Sequence, residues 1–233
     1  MTATLTCPRC GEETRPPGVW SDAWTCSAHG GVAPLHPAMV GSPEAFHHLG
    51  PRSRVPLWLP WPLPTGWLVT GLRMAGDEHS GPVAVVVACS GPNPLAVSHP
   101  SGRPAAAEPE PGPEPEPGPE PERSADLLLV AEQPGIGLGA HLAGLPDVDP
   151  GTSMTGGAPH LKLSVGGHET PLWAVPSRGR AVYVGEAAGV WLWALVWPEQ
   201  AGVVLLERFA LQDARDAEYL QDVPHGALCP HLG

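Results

Sequence analysis

Lysine is nearly missing from this chain: Lys162 stands alone beside eleven arginines, against 24 Asp and Glu, and the net charge is −12 over 233 residues. Six of the acids (Glu108, Glu110, Glu114, Glu116, Glu120 and Glu122) fall in one low-complexity stretch, so the remainder carries half of that charge. A surface of this sign repels phosphate backbones, and nucleic acid is therefore not an expected partner. Long apolar runs are also missing. Pro82–Cys89 and Gly189–Trp197 are the longest, far short of the roughly 20 residues of a spanning helix, so no membrane association is expected. The N-terminus lacks a basic segment followed by an apolar run, which argues against a signal peptide and for a soluble, cytoplasmic protein. Cysteine is sparse and odd in number, at five, which excludes a disulfide framework and fits a reducing compartment. No Gly-x-Ser-x-Gly, His-Glu-x-x-His or paired-carboxylate pattern occurs, so nothing names a reaction.

Three of the cysteines do form a pattern. Cys7-Pro-Arg-Cys10-Gly11 is followed, after fifteen residues, by Cys26-Ser-Ala-His29-Gly30. Two pairs, one C-x2-C and one C-x2-H, suit a tetrahedral metal, and three thiolates with one imidazole suit Zn²⁺. Gly11 and Gly30 supply the permissive backbone that each tight turn needs. The sequence thus predicts a zinc ribbon over 1–37 with Cys7, Cys10, Cys26 and His29 as ligands to one structural ion. Four protein ligands close the shell and leave no place for a catalytic water. A redox C-x-x-C or a disulfide would leave Cys26 and His29 unexplained. The ribbon has no basic face, so protein docking is favoured over nucleic-acid contact. Trp20 and Trp24 could form an exposed recognition pair, but Trp24 as cover for the knuckle is the simpler reading.

Residues 38–66 form a proline- and tryptophan-rich connector, notably Val55–Pro64, where alternate prolines forbid a helix and imply an extended chain. Trp58, Trp61 and Trp67 could be a docking strip or could pin this connector down. The remainder, 67–223, reads as a mainly β (α+β) domain with an antiparallel sheet. Trp67–Ala75 and Val83–Cys89 form a hairpin; Asp126–Glu132, Leu161–Val165, Pro171–Val175, Arg180–Glu186, Val190–Trp197 and Val203–Phe209 are further strands. Short helices are predicted at Leu138–Leu145 and Gln212–Gln221. Val190–Trp197 is apolar on both faces and should be a central strand, with Trp191, Trp193 and Trp197 in the core. A disordered Glu-Pro insert is expected over 98–124, and 224–233 reads as a frayed tail.

Other candidates are weaker. The loop Gly135–Gly139 follows a strand and could cradle a phosphorylated metabolite, making an enzyme or small-ligand binder the alternative to a binding module. Its spacing is not that of a dinucleotide fingerprint, and a tight turn explains the glycines equally well. His225, Cys229 and His231 could hold a second metal. Cys89 reads as a buried small hydrophobe. Glu132, Glu186 and Glu207 sit at strand ends, where acids are commonly solvated.

Cys7-Pro-Arg-Cys-Gly, the Trp-Pro connector, Pro134–Gly144 and Ala181-Val-Tyr-Val-Gly-Glu-Ala together resemble an uncharacterised actinobacterial family of unknown function. That resemblance implies an N-terminal zinc ribbon, a β-rich C-terminal domain and a variable acidic or proline-rich insert, but no activity.

Overall fold

Segments rich in β-branched residues pair as their composition demands. The computed structural model describes residues 4–19, 22–77, 80–96, 123–151, 156–216 and 218–232; Trp20 and residues 98–122 of the insert expected over 98–124 lie outside them, while Ser124 already belongs to a strand. Two short strands, β1 (Thr25–Cys26) and β2 (Gly30–Gly31), form a small hairpin near the N-terminus. The main sheet has β3 (Trp58–Trp61), β4 (Leu68–Asp77), β5 (Gly81–Pro92), β6 (Ser124–Glu132), β7 (Leu161–Val165), β8 (His168–Ala174), β9 (Ala181–Ala187), β10 (Val190–Trp197) and β11 (Ala210–Asp213). Their order is β3-β11-β7-β8-β9-β10-β6-β5-β4. Every neighbouring pair is antiparallel except β11 and β7. The sheet curls, bringing β3 close to β6.

The central strands are buried on both faces, as the sequence of β10 predicts. Alternation along a strand sends successive side chains to opposite sides. Val85, Val87 and Cys89 therefore join Leu127, Leu129, Leu192 and Ala194 in one core, while Val86, Ala88, Leu128, Val130, Trp193 and Leu195 enter a second. Trp193 is fully buried, and Trp191 and Trp197 line the rim of its core. Helix α2 (Leu138–Ala143), close to its predicted position, covers this second face with Leu138, Ala140 and Ala143.

Several expectations need correction. The connector is not extended throughout: Pro43–Leu49 forms a helix, α1. Ser42 Oγ accepts from the Ala45 amide at 3.2 Å and Pro43 fills the first turn, an N-cap signature that outweighs the surrounding prolines. Trp58 and Trp67 are buried, and Trp61 stacks on Tyr219 at 4.2 Å, so these rings pin the connector. Val203–Phe209 is not a strand; Glu199–Leu206 forms 3₁₀ turns that bury Ala201, Val204 and Leu205 at helical spacing. Gln212–Gln221 is not one helix, because Ala210–Asp213 is held as a strand between β3 and β7 and only short 3₁₀ turns follow.

The C-terminal segment is not frayed. Its Gly226 amide donates to Val69 O and its Cys229 amide to Thr70 O, extending the sheet beyond β4. Cys229 and Leu232 are buried. Gly71 makes room for this: a Cβ there would lie 2.4 Å from Leu232 Cδ1. Leu232→Ala should lower unfolding free energy by about 2–4 kcal/mol in urea denaturation, the usual cost of emptying a buried leucine site; a change within 0.5 kcal/mol, as is usual for surface positions, would show the tail is not docked.

Candidate metal centre

Two turns bring the four N-terminal donors together. The Gly11 amide donates to Cys7 O, and the Cys7 amide to Glu12 O. Gly11 and Gly30 have φ of 76° and 68°, the left-handed region that favours glycine. Arg15 and Thr25 exchange backbone hydrogen bonds, and β1 pairs with β2 across the second turn. As a result the ligand atoms of Cys7, Cys10, Cys26 and His29 all lie within 4.8 Å of one another, close enough to hold a metal ion. Cys7 Sγ is 3.5 Å and Cys26 Sγ 3.6 Å from His29 Nδ1, and Cys10 Sγ is 3.7 Å from Cys26 Sγ.

The thiols are not equivalent. Burial pushes Cys7 up to about 11. The Ala28 amide, with help from that of His29, holds Cys26 down to about 6. A thiolate is thus available to meet a cation, and metal capture displaces protons from the other sulfurs, so affinity rises with pH.

Arg9, one of the two residues between the first two cysteines, ties this centre to the sheet. Arg9 Nη2 donates to Gly135 O at 2.5 Å and its Nε to Ile136 O at 3.2 Å. On the far side of that loop, Glu132 is fully buried. Its Oε2 accepts from the Leu138 amide at 2.7 Å; its Oε1 accepts from the Gly139 amide at 3.2 Å and from Trp193 Nε1 at 2.7 Å. Asp149 Oδ1 accepts from the Gly135 amide and from Trp191 Nε1, both at 2.9 Å. Gly139 has to be glycine: a Cβ would lie 2.2 Å from Trp193 Cδ1. Burial raises Glu132 to about 7 even with three N–H donors facing it.

This arrangement answers two sequence readings. Glu132 is not a solvated strand-end acid. The signal for it was local: a carboxylate closing an apolar strand, directly before a glycine loop with bare amides. In the loop Gly135–Gly139, the amides of Gly135, Leu138 and Gly139 are held by carboxylates and that of Ile136 by Gln133 O, so these four are not turned toward a phosphate. A second metal set is not assembled either. His231 Nε2 lies 3.5 Å from Asp126 and its ring stacks on Trp197, while the His225 ring nitrogens are buried without partners. Among the described residues, the N-terminal group is the one set of three or more such donors. Cys89 is buried, as expected. A surface groove of 870 Å³ between β9 and the 3₁₀ turns after β10 mixes Arg180 with Glu199, and Arg180 Nε is already bonded to Ser177.

No helix among the described residues is long and apolar enough to cross a membrane. Fold and donors together define a β-rich protein with a Cys₃His cluster mounted on its sheet. The chain belongs to a family of unknown function (DUF6758), whose model matches residues 1–102 and 96–232. A search of the curated proteins finds no match to the chain, and neither does a search of the solved structures.

Proposed function

We propose that Cys7, Cys10, Cys26 and His29 bind one structural Zn²⁺ per chain, and that the resulting ribbon makes this a non-enzymatic, cytoplasmic protein-docking or regulatory module. The donor spacing carries the metal reading. A tetrahedral site with Zn–S near 2.3 Å and Zn–N near 2.0–2.1 Å has edges of about 3.5–3.8 Å; three of the six donor separations are 3.5, 3.6 and 3.7 Å, and all six lie within 4.8 Å. Four protein donors fill the shell, which supports a structural ion over a catalytic one. Docking to protein is supported by the acidic net charge of −12 and by a ribbon whose Arg9 is engaged within the chain, neither of which suits nucleic acid. The small-ligand alternative has less support, since Asp149 and Glu132 hold the amides of Gly135, Leu138 and Gly139.

Affinity purification of the tagged chain, beside its Cys26→Ser variant, tests docking. The expected result is a stoichiometric protein retained by the wild type and lost with the variant. Turnover of a metabolite by the purified chain, with no protein retained, would overturn it.

A further inference from the structure

The sulfurs of the N-terminal centre differ in how far solvent reaches them. Cys7 is fully buried and Cys26 is 3 % exposed, whereas Cys10 is only half-buried. Cys10 Sγ lies 3.7 Å from Cys26 Sγ. The two belong to different ligand pairs, so a bond between them would take one donor from each pair. The cysteines outside the centre are sealed. Cys89 is fully buried in one core, and Cys229, 2 % exposed, in the other. Burial pushes both thiols up, that of Cys229 to about 11, and buried thiols of this kind are inert.

A sulfur that ligates a metal is a thiolate, and the thiolate is the form that reacts with oxidants. Reach then decides which of the three reacts first. We propose that Cys10 and Cys26 form a peroxide-sensitive pair, with Cys10 reacting first, and that the disulfide between them ejects the ion. The Cys10 thiolate attacks hydrogen peroxide: an S–O bond forms, the O–O bond breaks and hydroxide leaves, giving a sulfenic acid. The Cys26 thiolate then attacks the Cys10 sulfur: an S–S bond forms, the S–O bond breaks and a second hydroxide leaves. The pair gives up two electrons, and both go to the peroxide. Only Cys7 and His29 then remain of the four donors that a structural site needs. A disulfide can be reduced again, so a dithiol and Zn²⁺ restore the centre, as suits a sensor in a reducing compartment. The inference rests on the zinc reading above and adds a means of regulation to that site.

The test starts from the zinc-loaded full chain, its metal counted by native mass spectrometry. Hydrogen peroxide is added and zinc release is followed with a chromogenic chelator. Samples taken at half release are quenched in acid, denatured, alkylated and mapped by peptide mass spectrometry. Acid stops thiol exchange, so the first disulfide is the one recorded. The expected result is one Cys10–Cys26 disulfide per zinc released, with Cys7, Cys89 and Cys229 alkylated as free thiols. Dithiothreitol with Zn²⁺ should then restore the metal. Cys10→His leaves a Cys₂His₂ donor set, itself a common zinc site. It should keep its zinc and lose it to peroxide about tenfold more slowly or less, because the accessible sulfur is gone. Zinc kept through a peroxide excess that oxidises free cysteine, or a first disulfide involving Cys7, Cys89 or Cys229, would overturn the proposal. If the variant holds no zinc, the wild-type map decides alone. A chain without zinc at the outset sinks the metal reading and the switch with it, whereas a zinc-loaded chain that fails the map sinks only the switch.

Discussion

Glu132→Ala is expected to destabilise the protein by about 4 kcal/mol at pH 5, but by only about 1 kcal/mol at pH 8, in urea denaturation followed at several pH values. The loss arises because three buried N–H groups, those of Leu138, Gly139 and Trp193, would be left without an acceptor, at about 1–3 kcal/mol each before relaxation or water entry. The pH dependence follows from linkage. Glu132 titrates near 7 in the folded chain against an ordinary 4.5, so between those values the folded state binds more protons than the unfolded one. Stability from this group is then fully present below pH 4.5 and is lost as pH rises through 7, by about 3 kcal/mol. Glu132→Gln keeps one oxygen for Gly139 and Trp193, should cost less than alanine, and should flatten the pH slope. A wild-type slope unchanged in both variants would show that Glu132 does not titrate in this range.

Removing the metal is expected to have the largest effect in the molecule, confined to one part of it. A lone ribbon has almost no core of its own, and the metal-binding free energy of such units is about 10–16 kcal/mol near neutral pH. In hydrogen exchange, chelator treatment or Cys26→Ser should abolish protection over residues 5–19 and 22–32, while β5, β6 and β10 keep theirs. Two contacts cross from the ribbon to the sheet at separate places. Residues 34–39 pair with β4 through His36, Met39 and Gly76 amides, and Arg9 reaches the loop before α2. Arg9→Ala should therefore leave the metal in place and loosen only the second contact. Loss of the whole cooperative melt on chelation would contradict this two-part behaviour.

What could be read from the sequence depended on how local the signal was. The donor set was legible because C-x2-C and C-x2-H spacing, with glycine after each pair, fixes two turns without reference to the rest of the chain. The central strands were legible for a similar reason: β10 carries apolar residues at both parities, which requires burial on two faces. Helix α1 had a local signal too, in Ser42-Pro43-Glu44, but the prolines around it pointed to an extended chain. The strand β11 had none. Gln212 and Asp213 favour no sheet, and they are held there by β3 and β7, which lie far away in sequence. The C-terminal segment likewise reads as polar and short, and its order comes from an open β4 edge that only the fold supplies. Glu132 falls between these cases. Its partners are six, seven and 61 residues away, so the nearer amides could have been foreseen, but not Trp193.

The most direct test of the metal centre is native mass spectrometry of the purified full chain before and after chelation, with Cys26→Ser beside it. The predicted result is one zinc per wild-type chain, removed by the chelator and absent from the variant. A metal-free wild-type chain purified under zinc-replete conditions, or a zinc retained by Cys26→Ser at full occupancy, would contradict the assignment.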